Sequence, residues 1–103
     1  MGRKNDMPEL DRLIHEPVRL RIMSVLTQVD KADFNFMLTA LGVTKGNLSC
    51  HMDRLEQAGY INVTKGFNGK IPHTAYQPTR KGRAALKAYW KHLDEIRAGL
   101  GHV

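Results

Sequence analysis

The sequence TKGNLSCHMDRLEQAGYI, residues 44–61, decides the fold of this chain. Its first part has apolar residues at i, i+4 and i+7, the spacing of one buried helix face: Leu48, Met52 and Leu55. Thr44 can cap this helix, and Gly59 can end it. After Gly59 the apolar period changes from helical to alternating, as in a strand. The stretch therefore predicts a helix over residues 44–58 that passes directly into a β-strand.

Length and composition indicate one small soluble domain. A chain of 103 residues has room for one modest core, and 42% hydrophobic with 25% charged residues is ordinary for a globular protein. No apolar run approaches the roughly 20 residues of a membrane span, and the first ten residues lack an apolar signal core. We therefore expect a cytoplasmic protein. Its one cysteine excludes an internal disulfide framework.

The basic charge is concentrated in one part of the sequence. The net charge is +6, yet residues 1–43 are neutral, with six basic and six acidic side chains. Residues 44–83 carry seven basic and two acidic side chains. A basic segment is often only a solvated face, but this local concentration favours a polyanionic partner.

Three helices are predicted ahead of residue 44. Apolar residues at helical spacing predict a first helix over residues 7–15, and a proline at position 17 suits the first turn of a second helix that ends near residue 29. Asp33 can cap a short third helix, FNFMLTAL, which Gly42 can end in a left-handed conformation.

A hairpin and a last helix are predicted after Gly59. Asn68-Gly69 is a hairpin turn signal between two strands, and Pro72 and Pro78 mark the second strand as an edge strand. Thr79 can cap a last helix over residues 79–98, whose apolar residues recur at three- and four-residue steps. The whole is mainly α with a small β-hairpin, an α+β fold with the element order of a winged helix-turn-helix.

Three stretches carry a resemblance to a known group: PVRLRIMSVL, LSCHMDRLEQAGYI and YQPTRKGRAAL. Over roughly residues 10–93 the sequence resembles small single-domain winged-helix transcriptional regulators related to the MarR and ArsR families. Their Ser-x-His-aliphatic-x-x-Leu-x-x-Ala-Gly pattern falls on Ser49, His51, Met52, Leu55, Ala58 and Gly59. The chain has no internal repeat or low-complexity tract, and we predict one domain over residues 1–103. The resemblance implies that this domain binds duplex DNA as a homodimer, and regulators of these families are more often repressors. The resemblance places the 44–58 helix in the major groove and the 65–73 wing on the DNA backbone or in the minor groove.

The side-chain chemistry of these elements suits DNA. A helix fits the major groove, where polar side chains meet base edges while basic groups neutralise phosphates. The candidate contacts are Thr44, Lys45, Asn47, Ser49, Cys50, His51 and Arg54 from the helix, with Lys65, Asn68, Lys70 and His73 from the wing. Asn47 and Ser49 can also be plain solvent-facing residues, and Arg54 can instead form an ion pair with Asp53 or Glu56.

The terminal segments offer an apolar surface for a second copy. A two-fold dimer reads two half-sites, whereas one helix-turn-helix covers only one. The candidate dimer residues are Met7, Leu10, Leu13, Leu86, Tyr89, Trp90, Leu93 and Ile96. In the alternative, Leu86, Tyr89 and Trp90 close the core of the monomer, while Leu93 and Ile96 lie too far out to do so.

Enzymatic and metal chemistry are not indicated. Neighbouring helical residues point about 100° apart, so Cys50 and His51 cannot face one another as nucleophile and base. The five histidines and one cysteine do not have the spacing of metal ligands. The weak exception is His92 with His102, which could supply half of the ligands of a metal site shared by the two copies of a dimer. We therefore expect no catalytic residue, no metal and no cofactor.

Three further hypotheses stay open. Cys50 near a helix N-terminus in basic surroundings is a candidate for oxidation that blocks DNA docking, although no resolving cysteine exists. A small-molecule effector of unknown identity can be imagined near Phe34, Phe36, Tyr89 and Trp90. Finally, winged helices also serve as RNA-binding or protein–protein interaction modules, which is the alternative to a DNA-binding regulator.

Overall fold

The computed structural model describes residues 8–101, apart from the side chain of Leu100. Within this range four helices surround a three-stranded antiparallel sheet with strand order β1-β3-β2. The elements are α1 Pro17–Val29, β1 Ala32–Asp33, α2 Phe34–Leu41, α3 Lys45–Gln57, β2 Ile61–Asn68, β3 Ile71–Pro78 and α4 Arg80–Gly101. This is an α+β winged helix, so the predicted fold class is confirmed. No helix in the described range is both long and apolar enough to cross a membrane.

Side-chain caps begin helices α1, α2 and α3; the sequence predicts the caps of α2 and α3, whereas the cap of α1 was not predicted. Glu16 accepts the Arg19 N–H at 2.7 Å ahead of α1, where Pro17 stands in the first turn. Asp33 accepts from the N–H of residue 36 at 2.7 Å ahead of α2, and Thr44 accepts from that of residue 47 at 3.1 Å ahead of α3. Each cap satisfies an N–H group that has no partner inside its helix.

The helix predicted over residues 7–15 does not form. Residues 12–14 make a single turn, in which the Asp11 carboxylate accepts the N–H groups of Leu13 and Ile14 at 2.8 and 3.1 Å. Glu16 has an extended backbone, φ −152° and ψ 132°, because a residue before proline is disfavoured in the helical region. Pro17 therefore separates this single turn from α1. Residue 7 lies outside the described residues.

The segment ahead of α1 nevertheless closes one side of the core. Ile14 is fully buried, and Leu10 and Leu13 pack against the core with part of their surface exposed. The Tyr60 hydroxyl donates a hydrogen bond to the Asp11 carboxylate. Burial raises the pKa of Tyr60 to about 12, and Asp11 adds to the rise, so the hydroxyl stays protonated and donates at neutral pH.

The hairpin forms as predicted, with its loop one residue later than expected. Asn68 pairs with Ile71, so the two loop residues are Gly69 and Lys70 rather than Asn68 and Gly69. Gly69 has φ 67°. A positive φ at only the first central position is typical of a type II′ turn, whose twist suits a tight hairpin.

The second hairpin strand is not the edge strand that its prolines indicated. β3 lies in the centre of the sheet, because β1 pairs with it through Ala32↔Tyr76 and Asp33↔Ala75. Pro72 and Pro78 lie on either side of that short pairing, so their missing N–H groups cost β1 no hydrogen bond. A two-residue strand has no detectable period, which is why the sequence did not indicate β1.

The start of α4 is locked to the junction between α3 and β2. The Thr79 hydroxyl donates to the carbonyl oxygen of Gly59 at 2.6 Å and accepts the Gly82 N–H at 2.9 Å. Gly59 has φ 79°, the left-handed turn that ends α3. This junction positions α3, which is the predicted recognition helix, the wing and α4 relative to one another.

Candidate nucleic-acid interface

The exposed side of α3 collects most of the side chains that the sequence assigned to DNA. Its opposite side, formed by Leu48, Met52 and Leu55, is at most 2% exposed and holds the helix on the core. We define the outer face of α3 by five exposed residues: Lys45, Asn47, Ser49, Cys50 and Arg54. Thr44, also exposed, caps the helix with its hydroxyl. The helix thus presents a polar, basic surface to solvent and an apolar one to the core.

The beginning of α3 is electrostatically suited to a phosphate. The first turn contains no acidic residue and has Lys45 at its first position. Thr44 satisfies the N–H of Asn47, which leaves the N–H groups of Lys45 and Gly46 at the positive end of the helix dipole. Both residues are exposed. An anion at this end would meet backbone donors and a lysine together.

Arg54 is available for a ligand rather than held in the alternative ion pair. It is exposed in the last turn of α3. In the part of the chain that the structure describes, no carboxylate oxygen lies within 4.0 Å of its guanidinium nitrogens; the ion pairs found there involve His51, His73, Arg83 and Arg97. The guanidinium keeps its donors for a base edge or a phosphate.

His51 does not belong to the outer face, contrary to the sequence prediction. Its side chain is only 15% exposed, and its Nδ1 lies 2.9 Å from the Arg19 guanidinium and 3.8 Å from Glu16 Oε1. A guanidinium has only donors, so Nδ1 accepts this hydrogen bond. Arg19 in turn donates from Nε to the carbonyl oxygen of Leu13 at 2.6 Å. His51 therefore joins the recognition helix to α1.

The wing presents two lysines and an asparagine to solvent. Lys65, Asn68 and Lys70 are all exposed. Lys65 also lines a polar cleft of about 280 Å³ between α3 and the wing, together with Ser49 and Asp53. The face of the wing that carries Lys65 is therefore the one turned toward the recognition helix.

His73 lies on the other face of the wing, away from the position that the sequence assigned to it. Residues 65 and 74 are cross-strand partners, and side chains alternate between faces, so His73 points opposite to Lys65. Its Nε2 lies 3.4 Å from Asp33 Oδ2. The pKa of Asp33 is lowered, chiefly by the N–H of Phe36 and further by His73. His73 thus contacts the start of α2 at the base of the wing.

Cys50 is a free, exposed thiol on the outer face of α3. It follows Ser49 and precedes His51, which turns inward to Arg19, so the cysteine and the histidine do not form a pair. Among residues 8–101 no group of three or more His, Cys, Asp or Glu side chains is arranged to hold a metal ion. Cys50 therefore lies among the polar and basic side chains of the outer face of α3, and His51 is not placed to serve as its catalytic base.

The apolar surface of α4 is smaller than the predicted dimer set. Leu86 and Tyr89 are 6% and 3% exposed and pack in the core of the monomer, which corrects their assignment to a dimer surface. Leu93 is partly buried against the core, also contrary to expectation. Trp90 is 44% exposed, and Ile96 is partly exposed. Trp90, Leu93 and Ile96 line an apolar cleft of about 530 Å³ on the outside of α4, and we call these three the α4 stripe.

Three of the aromatic residues proposed to line an effector pocket line separate clefts rather than one common pocket, although the rings of Tyr89 and Trp90 pack against each other. Tyr89 lines a cleft of about 440 Å³ with His15, Pro17 and Leu20, and its hydroxyl lies 2.8 Å from His15 Nδ1. Phe34 instead lines a separate cleft of about 120 Å³ at the base of the wing. The cleft at Tyr89 is lined in part by the segment ahead of α1, which the sequence predicted to be a helix. No sequence signal therefore indicated this cleft.

Comparison with known proteins identifies one matching family model and two similar proteins. A family model for a winged helix DNA-binding domain matches residues 18–97. An uncharacterized protein of Methanocaldococcus jannaschii is 32% identical over 79 residues, which make up 76% of this chain and 85% of that protein. The transcriptional regulator homologue of Pyrococcus horikoshii OT3 has a solved structure that superimposes with a TM-score of 0.81 at 31% identity, covering 87% of this chain and 89% of that one.

A more distant likeness concerns the fold alone. The structure of a MarR family transcriptional regulator from Silicibacter pomeroyi superimposes with a TM-score of 0.64 at 18% identity. The match covers 85% of this chain and 58% of that chain. The helix-turn-helix and wing of the present chain are thus shared with a larger regulator.

Proposed function

This chain belongs to the winged helix DNA-binding family of transcriptional regulators, and from that premise we propose that it binds duplex DNA as a homodimer and represses transcription. The proposal treats residues 1–103 as one DNA-binding domain. The similar protein of Pyrococcus horikoshii OT3 is a transcriptional regulator homologue, and we propose a regulatory rather than an enzymatic role for this chain.

The outer face of α3 is the observation that carries the proposal. It combines a lysine at a helix N-terminus, short polar side chains and an arginine that has no ion pair within residues 8–101, all on one exposed surface. In the proposed complex Thr44 and Lys45 bind a phosphate, while Asn47, Ser49, Cys50 and Arg54 meet base edges in the major groove. Asparagine suits adenine and arginine suits guanine, because each can form two hydrogen bonds with that base.

The wing supplies the second set of contacts in this proposal. Lys65 stands on the wing face that is turned toward α3, and Lys70 stands in the hairpin loop. Both can neutralise phosphates next to the groove that α3 occupies, and Asn68 lies between them along the chain. Phosphate contacts of this kind set affinity and orientation, whereas the base contacts of α3 set sequence preference.

The α4 stripe is the proposed dimer contact. Trp90 is 44% exposed although it is one of the largest apolar side chains of the chain, and burying it against a second copy would remove that surface from water. A two-fold dimer places two recognition helices about 34–36 Å apart, one turn of DNA. Leu10 and Leu13 keep part of their surface exposed and are candidates for the edge of the same contact.

Selection from a random 30-bp duplex pool, followed by a salt titration with the selected duplex, tests this function. We expect a two-fold symmetric site with half-sites one helical turn apart and an affinity that falls steeply as salt rises. The matched duplex RNA is the control. Equal binding to RNA would favour the RNA-binding alternative, and an affinity that does not respond to salt would contradict the electrostatic basis of the proposal.

A further inference from the structure

Two large apolar side chains stand exposed at the tip of the wing, where no core is near. Phe67 is 75% exposed and Ile71 is 70% exposed, the highest values among the exposed large apolar residues of the described chain. Neither packs against the core cluster. Because apolar side chains stabilise a fold when they are buried, these two exposed side chains do not stabilise the folded monomer.

The tip lies away from the body of the protein. Val63 is the last partly buried residue of β2, and Asn68 ends the strand five residues later, roughly 17 Å farther at the rise of an antiparallel strand. Pairing with β3 continues to Asn68↔Ile71, and the loop has only two residues. A paired strand with a tight turn cannot fold its side chains back onto the core, so the tip projects them into solvent.

Phe67 and Ile71 point in opposite directions. Phe67 lies two residues after Lys65 and therefore on the wing face that is turned toward the recognition helix. Its cross-strand partner on that face is Pro72. Ile71 is paired with Asn68 and lies on the other face. Only Phe67 is directed toward the side on which α3 would meet DNA.

The charges next to Phe67 match the rim of a DNA groove. Lys65 shares its face and Lys70 stands in the adjoining loop, and no acidic residue occurs between positions 57 and 93 of the sequence. The minor groove is about 6 Å wide and is bordered by phosphates on both sides. Two strands about 4.8 Å apart cannot pass deep into such a groove, but one side chain at their tip can reach its floor.

We propose that Phe67 is an apolar wedge that enters a base step in the minor groove beside each half-site, with Lys65 and Lys70 on the flanking phosphates. This proposal rests on the proposed DNA-binding function. Side chains that enter the minor groove partly unstack a step and bend the duplex, and the cost is lowest at flexible pyrimidine–purine steps. The protein would therefore prefer a TA or CA/TG step at a fixed distance from its half-sites, at base pairs that it does not read by hydrogen bonds.

The test compares the wild type with Phe67→Ala and with the matched control Ile71→Ala, which removes an equally exposed apolar side chain from the opposite face. All three proteins select from the same random 30-bp duplex pool, and bending of a wild-type-selected duplex is measured by energy transfer between its ends. We expect Phe67→Ala to keep the half-sites, lose the flanking step and the bend, and bind the selected duplex about tenfold more weakly, near the lower end for an aromatic side chain stacked on a base. Ile71→Ala should behave as the wild type.

Three results would overturn the wedge while leaving DNA binding intact. The first is an unchanged step preference and bend in Phe67→Ala. The second is an equal loss in Ile71→Ala, which would indicate a general effect of the tip. The third combines two observations: Phe67→Ala selects the same DNA as the wild type, and the wild type binds anionic phospholipid vesicles whereas Phe67→Ala does not. That result would assign the tip to a membrane surface. Failure of all three proteins to select any duplex would instead contradict the proposed function itself.

Discussion

Gly82 lies so close to Tyr60 that a Cβ atom at position 82 would be 2.1 Å from the Tyr60 carbonyl oxygen. The same carbonyl accepts the N–H of Thr79 at 3.0 Å. The backbone of α4 therefore packs directly on the backbone that leads from the recognition helix into the wing. Glycine is the only residue that permits this contact without moving one of the two elements.

Replacing Gly82 should strongly destabilise the protein. In Gly82→Ala the new methyl group would overlap backbone rather than a flexible side chain, so we expect a loss of about 3 kcal/mol in the free energy of unfolding. Gly46→Ala is the matched control, since Gly46 also stands in the first turn of a helix after a threonine cap, and no atom lies within 4 Å of the added Cβ. That control should be neutral or gain up to about 1 kcal/mol. Urea unfolding of both variants measures the difference, and equal stability would contradict the close packing.

The wing lysines should appear in the salt dependence of DNA binding. Lys65→Ala and Lys70→Ala should each reduce the slope of log affinity against log salt by about one unit, because each removes one phosphate contact. Lys87→Ala, an exposed lysine of α4 outside the proposed interface, is the control and should keep the wild-type slope. Fluorescence anisotropy at several salt concentrations measures these slopes. Unchanged slopes in both wing variants would exclude the wing from the interface.

The α4 stripe should control the oligomeric state. Ile96→Asp places a charge in the proposed dimer contact, and we expect it to produce monomers, because an unpaired charge buried in an apolar interface is strongly unfavourable. Ile96 is better suited to this test than Leu93, since Leu93 also packs against the core of the monomer. Lys91→Asp, an exposed position elsewhere on α4, is the control. Light scattering that finds a dimer in Ile96→Asp would rule out this surface.

Cys50 reports directly on the outer face of α3. Because the thiol is exposed, a small alkylating reagent should modify it in the free protein, and bound duplex should slow the modification at least several-fold. Cys50→Ser should retain DNA binding and show no modification, which identifies the site. Mass spectrometry over time gives both rates. Equal rates with and without saturating duplex would show that this side of α3 stays open to solvent in the complex.

Asp33 should make part of the stability depend on acid pH. Its pKa is lowered below the ordinary value of 3.8 in the folded protein, chiefly because the carboxylate accepts the N–H of Phe36. A lowered folded pKa means that this stabilisation is present above the unfolded pKa and is lost as pH falls through the folded one. Thermal unfolding at pH values from 6 down to about 3 should therefore show a smaller decline in Asp33→Asn, which keeps the cap but cannot titrate.

The loss of the Asp33 cap can be separated from its titration. Asp33→Ala removes both, and at neutral pH it should cost about 1 kcal/mol relative to the wild type, as for other helix caps. A pH profile of Asp33→Asn as steep as that of the wild type would show that other carboxylates dominate the acid response.

Local chemistry allowed much of this fold to be predicted. The caps at Asp33 and Thr44, the left-handed Gly42 and the buried residues of α3 each depend on neighbours within a few positions, so the sequence carried their signals and the structure confirms them. The resemblance to winged-helix transcriptional regulators is confirmed as well. The role of the outer face of α3 stays a prediction.

The errors concern contacts between distant parts of the chain. By its spacing, His51 fits a DNA-facing position. However, Arg19 of α1, which is 32 residues away in the sequence, donates a hydrogen bond to its Nδ1. Leu86 and Tyr89 share a helical stripe with Trp90, and only the packing of α4 on the core determines that the first two are buried and the third is not. Spacing along one element identifies a face, but it does not identify what covers that face.

By itself, the sequence determined the four helices α1 to α4 and the basic hairpin, although not the segment ahead of α1 or the short strand β1, because caps, turns and apolar periods act over short distances. Only the tertiary structure decided which of the predicted DNA-contacting side chains stay exposed and which are engaged within the protein. Gly46 and Gly82 illustrate the reason: both follow a threonine cap in the first turn of a helix, yet one faces open space and the other touches the Tyr60 backbone. That difference depends on where a distant segment lies, which local chemistry does not specify.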